Sequence, residues 1–303
     1  MKNFIYLDYN ATTPTDLRVA EAMTPYLTGF FGNPSSGHRL GREAKAAVER
    51  ARAQVASCLG SEPDEIVFTS GGSESDNLAL RGVVSARGGG HVITSAIEHP
   101  AVLEVALAME MEGLIELTVV GVDDHGRIDP EDVSAALRKD TVLVSVMLAN
   151  NEVGTLQPVT EIASRCRGRG VLVHTDAAQA VGKIPVDVEA LGVDLLTVAG
   201  HKLYAPKGIG ALYIRSGVEI EPQIRGAGHE RRLRAGTENI LEMVGLGAAS
   251  ALVRDEPARE YERIASLRDR LRRRLAEGAG GLIEHAAGAD RLPNTLSISL
   301  PGT

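Results

Sequence analysis

The sequence predicts an α/β protein: a mostly parallel sheet with helices on both faces, joined to a smaller, incomplete α+β domain. Three observations predict it. Short apolar runs alternate with helical patterns between about residues 66 and 214, the rhythm of a chain that crosses a sheet and returns along its face. Several of those runs, 171–175 and 193–198 among them, are apolar enough to be buried strands. After residue 255 only one charged helix and one strand-like run remain, too little to bury much apolar area alone.

Taken in order, residues 4–9 form a strand-like run and 10–14 a turn-rich segment. A helix is expected over 17–27 and an irregular loop over 29–37. Leu40, Ala44, Ala47, Val48, Ala51, Val55 and Leu59 recur at helical spacing, and Gly60 supplies the stop. Strand 66–69, helix 74–86, strand 91–95, helix 101–112 and strand 117–120 follow. Helix 130–137 opens with Asp129 as N-cap and Pro130 at its first position. Strand 142–148, helix 159–167, strands 171–175 and 194–198, and strand 210–214 continue the alternation. Helices over 239–254 and 260–275 and a strand over 295–300 come last. The division expected is a large domain over 15–255 and a partial small domain made of 1–14 with 256–303.

The 303 residues carry 32 basic and 40 acidic side chains, a net charge of −8. That leaves no broad basic field and excludes nucleic acid as the main partner. Cys58 and Cys166 stand in unrelated contexts, so neither a disulfide framework nor a metal site is expected. Cys58 adjoins the apolar face of helix 40–59 and reads as a small core residue. Cys166 lies between Arg165 and Arg167, which could depress its pKa, but its helical position favours a structural role. The amino terminus has no signal-peptide pattern, and no apolar run would span a bilayer. The expectation is a reducing, cytoplasmic setting with no membrane partner.

Four features converge on strand exits, where α/β proteins bind ligands. Lys202 follows the apolar run 193–198 through a turn of small residues. An amine partly desolvated there can have its pKa lowered and condense with an aldehyde. Asp176 ends the apolar run 171–175. A buried carboxylate needs a cationic partner, and a protonated pyridine nitrogen is one. Gln179, three residues on, could reach that ring's phenolic oxygen. Ser70-Gly71-Gly72-Ser73 joins a strand to a helix, and N–H groups at a helix start suit a phosphate. It is not a P-loop, because no Gly-Lys-Ser/Thr follows. His99 ends a strand before a proline-initiated helix and could stack on a flat ring or move a proton. Each alone has a plainer reading: a surface lysine, two helix caps, a loop histidine. His174 reads as a packed structural histidine. Together the four features describe a pyridoxal phosphate site.

Gly200-His201-Lys202, Thr175-Asp176-Ala177-Ala178-Gln179, Asn150-Asn151-Glu152-Val153-Gly154, Ser70-Gly71-Gly72-Ser73-Glu74-Ser75-Asp76-Asn77 and Leu7-Asp8-Tyr9-Asn10-Ala11-Thr12-Thr13-Pro14 strongly resemble the cysteine desulfurases. These are pyridoxal phosphate enzymes of the class V aminotransferase group. The resemblance runs from about Ile5 to the last residue and implies the large domain of the pyridoxal phosphate-dependent transferases. It implies that Lys202 carries pyridoxal 5'-phosphate, Asp176 pairs with its ring nitrogen and His99 stacks on the ring. Gln179 and Asn151 would contact the ring oxygen and the substrate side. Gly72, Ser73, Ala199, Gly200 and His201 would surround the phosphate. The segment from Gly226 to Thr237 resembles the one that reaches the neighbouring subunit's phosphate through Thr237, which implies a homodimer with shared sites.

The reaction implied takes sulfur from L-cysteine, leaving L-alanine and an enzyme persulfide. The sulfur passes to an acceptor or scaffold protein for iron–sulfur cluster or thiocofactor assembly. Ala199 stands where the family usually has serine, and Gly72-Ser73 where it has alanine–threonine. The family's sulfur-accepting cysteine and carboxylate-binding arginine lie beyond the strand that ends at Leu300, so an inactive front part of a longer desulfurase is expected. The alternatives are a class V aminotransferase or a cysteine or selenocysteine lyase of the same fold, and a non-catalytic dimerising scaffold.

Overall fold

The computed structural model describes residues 5–255, 257–278 and 281–302. Its centre is a seven-stranded sheet in the order β1-β7-β6-β5-β4-β2-β3. The strands are β1 (Ile66–Thr69), β2 (Gly90–Ser95), β3 (Ile115–Val120), β4 (Thr141–Ser145), β5 (Leu172–Asp176), β6 (Leu195–Ala199) and β7 (Gly210–Ile214). All neighbours are parallel except β7, which runs antiparallel to both β6 and β1.

Two apolar clusters cover the sheet, because successive strand residues point to opposite faces. On one face Phe68, Val173, Leu196 and Val198 pack against α3 (Arg39–Leu59), α7 (Val159–Arg167) and α9 (Ile240–Asp255). On the other, Val67, Val92, Leu143 and Leu195 pack against α4 (Gly72–Arg87) and α5 (Pro100–Met111). The mostly parallel sheet between helical layers is the one the alternation predicts. The short α6 (Pro130–Ala136) leads into β4 with the expected Asp129 cap, whose side chain accepts from Glu131 N.

Several elements differ from expectation, most of them for a local reason. The described part of the strand-like run 4–9 forms no strand, and Phe4 lies outside the described residues. Ile5 and Leu7 are 81% and 72% exposed, and residues of high strand propensity remain irregular without a partner ladder. The helix expected over 17–27 divides into α1 (Leu17–Met23) and α2 (Pro25–Thr28), because Pro25 has no N–H to continue the first. The strand expected over 142–148 stops at Ser145. The Met147 N–H, which a further ladder would use, donates to the Glu98 carboxylate at 3.0 Å. The strand expected over 295–300 shrinks to β9 (Ile298–Ser299), paired with β8 (Ile283–Glu284). Residues Asn294 and Thr295 are instead drawn to Asn10. A short helix, α8 (Val188–Leu191), capped by the Asp187 side chain, is too brief to have shown a period in the sequence. The charged helix near the end, α10 (Pro257–Gly278), runs longer than expected.

Candidate active site

β5 and β6 run side by side, with Asp176 paired to Thr197. Their carboxyl ends therefore deliver Asp176 and the turn carrying Lys202 to the same rim. Gly200 lets that turn fold tightly. A Cβ there would lie 2.8 Å from Ile209 Cγ2 and 2.9 Å from Ile209 O. On the other side β1 leads into α4. Gly210 lets β7 press against Gly71, since a Cβ at 210 would come within 2.7 Å of the Gly71 carbonyl carbon. That contact sets the start of α4 beside the end of β6, where the Gly72 Cα stands close to the Ala199 side chain.

A cavity of about 220 Å³ opens at this rim. Gly72, Ser73, His99, Asn151, Asp176, Gln179, Ala199, His201 and Lys202 all line it. Gly200 and Thr237 do not. The Gly200 N–H is taken by Ile209 O at 3.0 Å, and Thr237 is exposed.

Lys202 is half-buried, and burial lowers its pKa even though Asp176, Asp8 and Glu152 act to raise it. Its Nζ donates to the carbonyls of Asn10 and Ala11, the latter at 3.1 Å. Burial raises the Asp176 pKa, against the Ala178 N–H that its carboxylate accepts and the charges of His99 and Lys202. Beneath it lies Asp76, whose carboxyl is fully buried with Oδ1 unpartnered. Burial first, then the charge of Asp176, pushes the Asp76 pKa well up. Of the two carboxyls Asp176 is the one whose rise is opposed by His99 and Lys202.

His99 caps α5: its Nδ1 accepts from Ala101 N at 3.1 Å. That bond fixes the ring at the cavity mouth with Nδ1 unprotonated. No side chain caps α4, whose N-cap is Gly71, so its first N–H groups face the cavity as anion donors. Asn151 faces the cavity with its side chain joined to Glu152. His201 is held by Thr12, and its carbonyl accepts from Thr13 N and Oγ1. His174 is fully buried between Ser145 and Thr197. Burial pushes its pKa down to about 3, so it is a neutral structural histidine.

Four groups escaped the sequence reading: Asp76, which lines the cavity, and Asn10, Glu98 and Lys183, which stand behind its lining. Asn10 accepts from Lys202 and Gln179 on its carbonyl while its side chain reaches Thr295 and Asn294. The motif 7–14 was visible, but its return to the lysine turn was not. Asp76 was hidden within a helix, and Glu98 behind His99. Burial pushes the Glu98 carboxyl up to about 8. Lys183 donates to Gln179 Oε1 at 2.5 Å, a contact that one helical turn of spacing could have flagged.

The set fits pyridoxal phosphate. An amine without a carboxylate hydrogen-bond partner faces a buried carboxylate whose hydrogen bond comes from a backbone N–H rather than from a cation. An uncapped helix start lies at the same cavity, with the buried, unpartnered Asp76 oxygen below. Among the described residues no group of three or more His, Cys, Asp or Glu could hold a metal ion.

A family model described as aminotransferase class-V matches residues 5–303, and the chain belongs to that family. A relative described as cysteine desulfurase IscS, from Dictyoglomus turgidum, is 48% identical over 301 residues, covering 99% of this chain and 76% of the relative. Within the family, the chain's place is among the cysteine desulfurases. A solved structure described as a NifS-like protein superposes with a TM-score of 0.93 at 41% identity, over 99% of this chain and 82% of its own. Another, SspA in complex with cysteine, gives 0.89 at 36% identity, over 98% and 84%.

Proposed function

We propose that this protein is a pyridoxal phosphate-dependent cysteine desulfurase whose cofactor is held by Lys202. The reading is carried by one observation: Lys202, Asp176 and the uncapped start of α4 line a single cavity. Bound pyridoxal phosphate supplies an aldehyde that captures an amine and a ring that takes up electron density from the substrate's Cα. Gly72, Ser73 and His201 bind the phosphate, with Ala199 and Gly200 shaping the turn behind it. Asp176 keeps the proton on the ring nitrogen, and His99 covers the ring face. Gln179 donates to the ring oxygen, and Asn151 orients the substrate. Lys202 Nζ, its pKa lowered by burial, takes the Cα proton and returns it.

The net reaction converts L-cysteine and a thiol into L-alanine and a persulfide. Burial pushes both thiols of this chain up to about 11, with the charge of Asp194 adding at Cys166. Neither lines the cavity, so the thiol that takes the sulfur comes from outside residues 1–303. In the cell it belongs to the route that feeds an acceptor or scaffold protein, for iron–sulfur cluster or thiocofactor assembly. Two unpaired cysteines suit a cytoplasmic setting. No helix among the described residues is long and apolar enough to cross a membrane.

The protein is further proposed to act as a homodimer with shared sites. Thr237 is exposed and away from its own cavity, available to a second copy. Residues 15–255 serve as the cofactor domain, and 1–14 with 256–303 as a second unit joined through Asn10, Asn294 and Thr295. Residues 1–303 bring no thiol of their own to the cavity, which is why the chain alone is expected to be inactive. Excess dithiothreitol supplies one, so purified protein given pyridoxal phosphate, L-cysteine and that thiol should release alanine and sulfide in equal amounts, and Lys202→Ala should abolish both. Pyruvate release would instead indicate a lyase, and keto-acid-dependent amino transfer an aminotransferase. Absence of any product with the cofactor unbound would leave only a scaffold.

A further inference from the structure

We propose that Lys183 is a positioning residue: it holds the Gln179 carboxamide by its oxygen, so that the amide N–H groups face the Asn10 carbonyl and the cofactor's ring oxygen. The inference rests on the proposed function, because Gln179 acts there only when the cofactor is bound. Four groups form one chain across the cavity wall. Lys183 Nζ donates to Gln179 Oε1 at 2.5 Å. Gln179 Nε2 donates to Asn10 O at 2.9 Å. The same carbonyl accepts from Lys202 Nζ.

A carboxamide has an accepting edge and a donating edge. With oxygen anchored on Lys183 and one N–H on Asn10, the second N–H is left for a ligand in the cavity. Without the lysine, Oε1 is a buried acceptor with no partner, and rotating it toward the cavity would set it against an anionic ring oxygen. The location of Lys183 is a costly one. It is 9% exposed, and its neighbouring charge is the cation of Lys202 rather than a carboxylate. Burial and that cation push its pKa down to about 7. A methionine would fill the same space at no electrostatic cost, so packing alone does not account for a lysine.

The test uses the 303-residue protein loaded with pyridoxal phosphate and reads the pH midpoint of the bound cofactor's absorption band. The groups that face this region are Lys202, whose charge acts on Lys183, His201, on which Lys183 acts, and Asp176, Asp8 and Glu152, which face Lys202. None of them is altered by the substitutions. A ring oxygen that loses a donor becomes more basic. Lys183→Met should therefore raise the midpoint by about one pH unit, the size of one hydrogen bond to a charged group. Lys183→Arg, which keeps a donor, should restore it. Gln179→Leu should raise the midpoint equally, and adding Lys183→Met to Gln179→Leu should change nothing further. An unshifted midpoint in Lys183→Met or Gln179→Leu, or shifts that add in the double variant, would overturn the inference while the functional reading stands. A wild-type protein showing no band that Lys202→Ala removes would overturn both.

Discussion

Replacing Glu230 by glutamine should destabilise this protein by about 3–5 kcal/mol, the cost of leaving a buried charge without its partner. The Glu230 and Arg52 side chains are 2% and 7% exposed and meet through two contacts of 2.7 Å. The carboxylate also accepts from Phe68 N at 2.8 Å, and the guanidinium lies 4.9 Å from the Phe68 ring centre. Glutamine keeps the shape and one acceptor but removes the charge. The cation of Arg52 is then left with Glu49, a half-exposed partner at 3.4 Å. The pair also closes a strained segment. Glu230, Arg231 and Arg232 have φ values of 43°, 54° and 71°, and non-glycine residues in that region cost roughly 1 kcal/mol or more each. Urea unfolding of the wild type, Glu230→Gln and the double variant Arg52→Met/Glu230→Met measures the effect. The double variant should lie within about 2 kcal/mol of wild type, because apolar pairs often replace buried ion pairs at little cost. A single variant within about 1 kcal/mol of wild type, or one no worse than the double, would refute the reasoning.

Three further outcomes follow from the site. Burial pushes the Glu98 pKa in the folded protein up to about 8 from 4.5, so the folded state holds a proton that the unfolded state has released, and stability is lost as pH rises from about 4.5 to 8. Buried His174, at about 3, acts oppositely below pH 6.5, and buried Lys183, at about 7, acts oppositely above it. Both are common to wild type and a Glu98 variant, so the difference between the two reports Glu98 alone. From about pH 6.5 to 8 Glu98→Gln should gain about 2 kcal/mol on wild type in chemical denaturation at the two pH values; a constant difference would show that the carboxyl is not protonated there. Asp176→Asn should lower kcat about 10²-fold or more while the cofactor still binds, read by alanine release at saturating cysteine; an unchanged kcat would remove Asp176 from the chemistry. Ala199→Ser, which adds a hydroxyl beside the start of α4, should tighten cofactor binding about tenfold, measured by equilibrium dialysis; weaker binding would mean that the hydroxyl cannot reach the phosphate.

The sheet was legible because each crossing is a self-contained signal: an apolar run, a small-residue turn, then a helical period. Where a neighbour decides the outcome, the sequence is silent. Residues 5–9 have strand character but no partner ladder, and the run beyond Ser145 yields its Met147 N–H to a side chain from another loop. The site divides the same way. Asp176, Lys202 and the start of α4 could be read locally, because each stands at a strand exit. Asn10 could not, since its part depends on a return across the whole chain, from residue 10 to Lys202 and to Thr295. Asp76 and Glu98 were hidden because burial, not residue type, gives them their character.

Borohydride reduction of the cofactor-loaded protein, followed by digestion and mass spectrometry, reads the covalent attachment directly. The account predicts one pyridoxyl group, on the peptide containing Lys202. A label on Lys183, the other lysine whose pKa is lowered at this cavity wall, or on Lys207, or no label at all, would contradict it.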